Sequence, residues 1–395
     1  PAARVGAAIE LLDEIIDAAR SKGAPADRLI ADYFKSRRYA GSKDRRAVRE
    51  LVYAVIRAAG PLPPSGRAAM LAYAEARDEA LLACFDGSEH GPAPVQPDEP
   101  RAALGLAQPW LVDALARAGI EGEHAAALLE RAPLDIRVNA LKADRATLEL
   151  PLPAEPLDAP QALRLPTGTT IQQWPALRDG LIEVQDHGSQ LICEAIPVQP
   201  GDTVIDLCAG AGGKTLALAA RFGNALSLVA ADTDKRRLGN LAPRAARAGA
   251  QIDHTVLLDP GRETESLERW RGDADHVLVD APCSGSGTWR RNPEARWRLD
   301  RAELARLTAL QDHVLDIAAA LVKPGGTLAY VTCSLLSAEG PERIDAFMER
   351  HSGWTPLEPT TPAKGALGIS CGKGARLEPF RHGTDGFFVA LLRCT

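Results

Sequence analysis

T-V-I-D-L-C-A-G-A-G-G-K-T, Thr203 to Thr215, decides the fold of this chain. A short apolar run ends at Asp206 and leads into a glycine-rich turn and a helix, a pattern typical of a parallel α/β sheet. Glycines in such a turn let the backbone approach a ligand closely and leave helix N-terminal amides available. The turn ends in G-K-T, but Cys208 stands where a Walker loop requires its first glycine, and the six-residue dinucleotide fingerprint is absent too.

The same pattern continues downstream. Further apolar runs end at Asp232, Asp259, Asp280 and Cys333, and polar or helical sequence follows each of them. Ligands of doubly wound sheets bind outside the carboxyl ends of the strands, so these side chains are predicted to share one edge. Asp232 is placed to accept hydrogen bonds from ribose hydroxyls and Asp259 from an adenine amino group. Together they predict an adenosine-containing cofactor without a triphosphate.

Two segments place a cysteine just past a strand: D-A-P-C-S-G-S-G-T-W-R-R-N-P-E (Asp280–Glu294) and Y-V-T-C-S (Tyr330–Ser334). Neighbouring strands lie about 4.8 Å apart, so both sulfurs are expected to reach one substrate ring. The run G-F-F-V-A-L-L (386–392) predicts one further strand.

Composition limits the class of protein to which the chain can belong. The chain has 395 residues, 46% of them hydrophobic and 25% charged, which indicates a globular protein of two or three domains. The sequence contains no run of about 18 apolar residues, so no membrane span is predicted. Seven cysteines without CxxC pairs argue against a disulfide framework or a zinc site and favour a reducing cytoplasm. We expect no metal and a monomer.

Three domains are predicted. Residues 1–98 read as helices, 101–192 as a small α+β module and 193–395 as the parallel sheet domain. Within the first two domains, we expect a helix at 68–85, a linker at 86–100 and helical sequence from Pro109 to Arg131. A strand is expected at 135–141, followed by a helical segment and then a loop at 151–160. The net charge is −6, yet arginines cluster locally, which permits an RNA partner without proving one. The clusters are Arg37, Arg38, Lys43, Arg45 and Arg46, and Arg290, Arg291, Arg296, Arg298 and Arg301.

The motifs resemble those of the RsmB/Nop/Sun family of RNA cytosine-5 methyltransferases. D-L-C-A-G-A-G-G-K-T, D-A-P-C-S-G-S-G, T-C-S and the closing T-D-G-F-F-V-A occur in the family's order, R-V-N-A-L-K (137–142) is moderately similar, and S-K-D-R-R-A-V-R-E-L-V-Y (42–53) resembles a NusB-like helical domain. One departure follows T-C-S, where Glu339 and Gly340 replace the acidic-Asn pair common in the family.

The resemblance implies a Rossmann-like class I methyltransferase sheet, with S-adenosylmethionine as methyl donor, preceded by the α+β module and a NusB-like RNA-binding domain. It implies Cys333 as nucleophile and Cys283 as the residue that assists product release, while Asp280 is our candidate to hold a proton on cytosine nitrogen 3 and Lys214 to lower a thiol pKa or steady the loop. The expected cofactor-binding residues are Cys208, Ala209, Gly210, Ala211, Gly212, Gly213, Lys214, Asp232, Asp259 and Asp280. The expected substrate is small-subunit rRNA, with tRNA as a second choice.

Two other hypotheses stay open on the sequence. A DNA cytosine-5 methyltransferase would attack through the cysteine of its Pro-Cys dipeptide, which is Cys283 here, and would not need Cys333. A non-catalytic RNA-binding assembly factor would use the helical domain and keep the sheet as a scaffold, but a scaffold has no need of thiols at strand ends.

Overall fold

The structure is a computed structural model that describes residues 1–363 and 365–395. Its internal contacts divide the chain into two compact units. The helical unit comprises Pro1–Arg131 and Ser284–Arg301, and the sheet unit comprises Ala132–Cys283 and Ala302–Thr395. This division differs from the three predicted domains, because 101–131 group with the N-terminal helices and the α+β module groups with the parallel sheet.

Six α-helices build the helical unit. They are α1 (Ala2–Arg20), α2 (Ala26–Ser36), α3 (Ser42–Ala58), α4 (Gly66–Arg77), α5 (Pro109–Arg117) and α6 (Gly122–Ala126), with short 3₁₀ turns at Glu79–Cys84, Ala127–Leu129, Ser286–Thr288 and Pro293–Trp297. Residues at helical spacing, among them Leu12, Ile16, Val52 and Ile56, form a shared apolar core. Trp297 belongs to the same core although it lies far along the chain.

Two predicted helices are shorter than expected. The helix predicted over 68–85 ends at Arg77 and gives way to a 3₁₀ turn. The helix predicted from Pro109 to Arg131 breaks after Arg117, because Gly119 and Gly122 adopt positive φ angles of 76° and 54° that end regular helix. The linker predicted at 86–100 contains neither helix nor strand.

The sheet unit contains fifteen strands among the described residues. They are β1 (Leu134–Val138), β2 (Glu155–Pro156), β3 (Ala162–Leu165), β4 (Ile182–Val184), β5 (Thr203–Asp206), β6 (Ser227–Asp232), β7 (His254–Leu257), β8 (Ala274–Asp280), β9 (Val322–Thr332), β10 (Trp354–Leu357), β11 (Thr360–Thr361), β12 (Gly365–Ala366), β13 (Ile369–Cys371), β14 (Gly374–Leu377) and β15 (Phe387–Cys394).

Helices connect these strands. They are α7 (Pro175–Arg178), α8 (His187–Ala195), α9 (Gly213–Arg221), α10 (Lys235–Leu238), α11 (Leu241–Ala248), α12 (Glu263–Leu267), α13 (Arg301–Leu321), α14 (Pro341–Arg350) and α15 (Pro379–His382), with 3₁₀ turns at Glu268–Trp270 and Ser337–Glu339.

The principal sheet confirms the predicted α/β architecture. Its parallel strands run in the order β9-β8-β5-β6-β7, and β15, the predicted closing strand, pairs antiparallel with β9. The chain proceeds from β5 outward to β7 and then returns to the other side of β5 as β8. The order therefore reverses between β5 and β8, where doubly wound sheets bind their ligands. The antiparallel β13, β14 and β10 complete this sheet.

Both faces of the parallel sheet are covered, which explains why its strands read as continuous apolar runs. Alternate residues point to opposite faces: Ile205 and Val277 belong to one apolar cluster, and Val204 and Leu278 to another. The sequence K-P-G-G (Lys323–Gly326), which is typical of a turn, lies within the span of β9, where the pairing with β8 is irregular and Gly325 has a φ of 78°.

The α+β module is an antiparallel sheet of order β2-β3-β1-β4. Asn139, at the end of β1, donates from its buried amide to the carbonyls of Gly180 and Ala248, which ties this sheet to α11 of the parallel domain. The helical segment predicted after 141 is wrong, since 141–150 form turns, and the loop predicted at 151–160 contains β2.

Candidate active site

The carboxyl ends of the parallel strands carry the predicted constellation. Asp206, Asp232 and Asp280 are the last residues of β5, β6 and β8, and Cys333 directly follows β9. Asp280 lies opposite Val331 in the register of β8 and β9. The edge predicted from the apolar runs is therefore formed by adjacent strands.

The two cysteine loops meet at this edge. The Sγ atoms of Cys283 and Cys333 are 3.3 Å apart, and both residues are partly exposed. The loop after β8 continues the pairing with β9, since the amide of Ala281 donates to the carbonyl of Val331 at 2.8 Å. The convergence of the two sulfurs thus follows from two neighbouring parallel strands that each end one to three residues before a cysteine.

Lys214 and Asp280 form an ion pair beside the cysteines. The Nζ atom of Lys214 donates to Oδ2 of Asp280 at 2.6 Å, and 8% of the lysine side chain and 36% of the aspartate side chain are exposed. Burial is the largest single influence and would lower the pKa of Lys214, but its acidic neighbours, Asp280 first among them, together outweigh burial and raise the pKa. Lys214 therefore remains a cation and holds the Asp280 carboxylate in place.

The glycine-rich turn is shaped by close packing. Gly210 and Gly212 have positive φ angles of 55° and 84°, and a Cβ on Gly212 would lie 2.1 Å from a methyl carbon of Leu241. The amide of Gly210 donates to Oδ2 of Asp232 at 2.7 Å. A side chain at either glycine would push the turn away from this position.

Several of the expected cofactor-binding residues in the glycine-rich turn are packed within the protein. Gly213 begins α9, Ala209 is buried, and the amide of Ala209 donates to the carbonyl of Ala231. Burial raises the pKa of the Cys208 thiol well above its usual value, so this cysteine stays neutral. Ala211 presents its carbonyl to the guanidinium of Arg244 at 2.7 Å.

The strand-end carboxylates differ sharply in exposure. Asp206 is buried and accepts a hydrogen bond from the hydroxyl of Thr215 at 2.6 Å; burial raises its pKa to about 7. Asp232 is also buried and accepts from the amides of Gly210 and Asp234. Asp259 follows β7, its side chain is 68% exposed, and a carboxylate oxygen lies 4.0 Å from the guanidinium of Arg262.

Gln311 and Arg244 were missed by the sequence reasoning. Gln311 lies on α13, and its amide contacts both cysteine loops; Arg244 lies on α11 and supports the glycine-rich turn. Each sits mid-helix, where glutamine and arginine are ordinary helix formers, so no local pattern marks them.

Gly340 has a packing explanation. A Cβ at this position would lie 2.9 Å from the ring of Phe388, so the residue after Glu339 must be small here. Glu339 itself is fully buried. The ring of Phe388, which packs against the loop, therefore explains why glycine stands here in place of the asparagine common in the family.

Three of the clustered arginines after Cys283, which could have contacted an RNA partner, are engaged within the protein instead. Arg290 and Arg296 are buried, and Arg296 donates to the carbonyls of Ile56 and Ala59 at 2.6 and 2.7 Å. Burial lowers the pKa of Arg296 to about 9, so it stays charged at neutral pH. Arg298 donates to carbonyls at the end of α1 and in the turn after it. These side chains stabilise the helical unit.

The described residues contain neither a cluster of potential metal ligands nor a candidate membrane-spanning helix. Within 1–363 and 365–395, no three His, Cys, Asp or Glu side chains are grouped so that they could hold a metal ion. No helix in the same part of the chain is both long and apolar enough to cross a bilayer.

A doubly wound sheet with a glycine-rich turn, strand-end carboxylates and paired thiols defines a Rossmann-like methyltransferase. Residues 194–393, just over half of the chain, match the family described as 16S rRNA methyltransferase RsmB/F. The chain therefore belongs to the RsmB/F family, as its motifs predicted.

Individual proteins agree with this assignment. The chain is 36% identical over 232 residues to ribosomal RNA small subunit methyltransferase B of Xanthomonas campestris, covering 58% of this chain and 52% of that protein. It is 35% identical over 273 residues to the protein of the same name from Xylella fastidiosa, covering 67% and 63%. The chain thus spans between about half and two thirds of the length of these relatives.

One solved structure is similar over almost the full length of this chain. The crystal structure of PH0851 matches with a TM-score of 0.74 and 24% identity, covering 99% of this chain and 98% of that one. At this identity the similarity concerns the fold alone.

Proposed function

We propose that this chain transfers a methyl group from S-adenosylmethionine to carbon 5 of a cytosine in RNA, through a covalent adduct with Cys333. The observation that carries the proposal is the 3.3 Å separation of the Cys283 and Cys333 sulfurs at the carboxyl end of the sheet, in a member of an rRNA methyltransferase family. One thiol suffices to attack a base, so two converging thiols favour a mechanism with separate steps of attack and release.

The residues at the strand ends fit an adenosine-containing methyl donor. The glycine-rich turn opens α9 at Gly213, where a Cβ would meet no atom within 4 Å, so there is room for a ligand against the backbone. Asp232 accepts a hydrogen bond from the turn and has carboxylate oxygens suited to ribose hydroxyls. The side chain of Asp259 is exposed, so it is free to accept a hydrogen bond from the amino group of a bound adenine. Cys208, Ala209, Gly210, Ala211 and Gly212 contribute the backbone of this cradle, with Lys214 and Asp280 at its edge. When bound, S-adenosylmethionine supplies an electrophilic methyl group.

Carbon 5 of cytosine is a poor nucleophile, so the enzyme must first raise its electron density. The thiolate of Cys333 adds to carbon 6, which makes carbon 5 nucleophilic. The proton that the Cys333 thiol gives up balances the one that nitrogen 3 gains as the thiolate adds, and Asp280, which pairs with Lys214, holds that proton on nitrogen 3 and so stabilises the charge that develops on the ring.

Product release requires the loss of a proton. After methylation carbon 5 still carries its hydrogen, and this must leave before the bond between carbon 6 and Cys333 can break. Cys283, whose sulfur is next to that of Cys333, acts as the general base for this step, directly or through a water. Departure of the Cys333 thiolate then restores the aromatic ring.

The substrate is RNA, with small-subunit rRNA first because the relatives are named for it. Carbon 6 is inaccessible within a stacked helix, so the target cytosine must be unpaired or flipped out. In the helical unit Arg38, Lys43 and Arg46 are exposed, in contrast to Arg296, and are suited to phosphate contacts. We retain a NusB-like RNA-binding role for this unit and a cytoplasmic monomer as parts of the proposal.

Methylation of matched nucleic acids tests the proposal. The full chain is incubated with isotopically labelled S-adenosylmethionine and either small-subunit rRNA, tRNA or DNA of the same sequence, and the nucleosides are analysed by mass spectrometry. Labelled 5-methylcytidine in RNA supports the proposal. Label in DNA alone, in another nucleoside or in none of the substrates would overturn it, and cofactor-free RNA binding would instead favour an assembly factor.

A further inference from the structure

The side chain of Gln311 contacts both cysteine loops. It is fully buried on α13, and its Nε2 atom donates to the carbonyl of Pro282 at 2.8 Å and to Oε1 of Glu339 at 3.0 Å. Pro282 directly precedes Cys283. A primary amide carries two hydrogens, so one nitrogen can serve both acceptors.

Glu339 continues this connection to the other cysteine. Its backbone carbonyl accepts hydrogen bonds from the hydroxyl of Tyr330 at 2.9 Å and from that of Thr332 at 3.3 Å. Thr332 directly precedes Cys333. A buried network therefore runs from the residue before one cysteine, through Gln311, to the residue before the other.

We propose that Gln311 is a positioning residue that sets the separation of Cys283 and Cys333, an inference that rests on the proposed two-cysteine mechanism. The last pairing between the two strands is the hydrogen bond from the amide of Ala281 to the carbonyl of Val331, so strand pairing no longer holds Cys283 and Cys333 in register beyond it. The Gln311 amide spans the gap, because its nitrogen donates both to the carbonyl of Pro282 and to the buried side chain of Glu339. A carboxyl group at position 311 cannot replace it, because it carries at most one hydrogen to donate where the amide nitrogen carries two.

The test compares Gln311→Met with Asn139→Leu. Asn139 is a matched control, since its buried amide also bridges two backbone carbonyls, those of Gly180 and Ala248, but neither partner adjoins a cysteine. Diamide removes two electrons and two protons from a pair of thiols to form a disulfide. Its rate of cross-linking Cys283 to Cys333, measured as the linked peptide by mass spectrometry, reports their proximity without substrate.

Gln311→Met should slow this cross-linking at least about tenfold and lower kcat for methyl transfer by a similar factor, because misplacement by about 1 Å is costly in a preorganised site. Cofactor affinity, measured by calorimetry, should stay within about twofold because the glycine-rich turn is untouched. Asn139→Leu should leave the cross-linking rate within about twofold even if it lowers Tm.

Equal rates in Gln311→Met and the wild type, or equal losses in both variants, would overturn the inference. If Gln311→Met does not fold, Gln311→Glu of the same size is the second variant; wild-type cross-linking in it would also contradict us. The two readouts separate the hypotheses. Slow cross-linking in a chain that methylates no RNA supports the positioning role while refuting the proposed function, and normal cross-linking in an active Gln311→Met enzyme refutes only the role of Gln311.

Discussion

The two sulfurs at the end of the parallel sheet and the guanidinium of Arg296 lie on either side of a unit boundary in the chain, and their surroundings are opposite. Cys283 and Cys333 are partly exposed and close to one another. Arg296 is buried, and a terminal nitrogen of its guanidinium donates to backbone carbonyls of the helical unit. A buried residue that donates to backbone carbonyls stabilises a fold, whereas reactive groups left accessible at a strand end are available for chemistry.

The comparison also shows which sequence patterns were informative. The cysteines were selected because each follows an apolar run, and the carboxyl ends of parallel strands share one edge. The arginines were selected only because they are close in sequence. Closeness in sequence does not predict which cations are exposed, since segment 284–301 folds with the N-terminal helices.

Replacing the nucleophile should have the largest effect. Cys333→Ala removes the thiolate that must attack carbon 6, so methyl transfer should fall at least about a thousandfold. Cys371→Ala, which removes another partly exposed thiol, is the control and should retain activity. Initial rates with labelled S-adenosylmethionine measure both. Substantial activity in Cys333→Ala would show that Cys333 is not the nucleophile and that its role, like that of Arg296, is structural.

Arg296→Met should destabilise the helical unit. The substitution leaves buried carbonyls without their donor, so we expect a loss of about 3 kcal/mol in the free energy of unfolding, measured with denaturant. Arg38→Met is the control, because Arg38 is exposed, and should cost less than about 0.5 kcal/mol. Unchanged stability with weaker RNA binding in Arg296→Met would show that this arginine contacts RNA after all.

Asp206→Asn gives a smaller effect that depends on pH. The carboxyl of Asp206 has a pKa of about 7 in the folded chain against 3.8 as its ordinary value, so the folded state holds the proton more tightly. Wild-type stability relative to Asp206→Asn is therefore greatest below about pH 4 and declines as the pH rises to about 7.

Unfolding midpoints of both proteins across this range, at one salt concentration, measure the difference. A constant difference between the two proteins, or one that grows in favour of the wild type, would show that Asp206 is ionised in the folded state as it is in the unfolded chain.

Most of the sheet could be predicted from sequence, because its buried parallel strands read as apolar runs that end at polar residues. The convergence of the two cysteine loops followed from the same rule. The discontinuous helical unit could not be predicted, since the core position of Trp297 depends on contacts distant in sequence. Gln311 was missed for the same reason: its partners lie on two separate loops, and a single mid-helix glutamine carries no local signal.

Trapping of a covalent RNA adduct tests the central claim most directly. Cys283→Ala, incubated with S-adenosylmethionine and substrate RNA, should accumulate protein bound to RNA, because attack by Cys333 proceeds while release is blocked. A slowly migrating band on a denaturing gel should appear in Cys283→Ala and be absent from the variant that also carries Cys333→Ala. No band in Cys283→Ala on an RNA that the wild type methylates, or a band that persists without Cys333, would contradict the account.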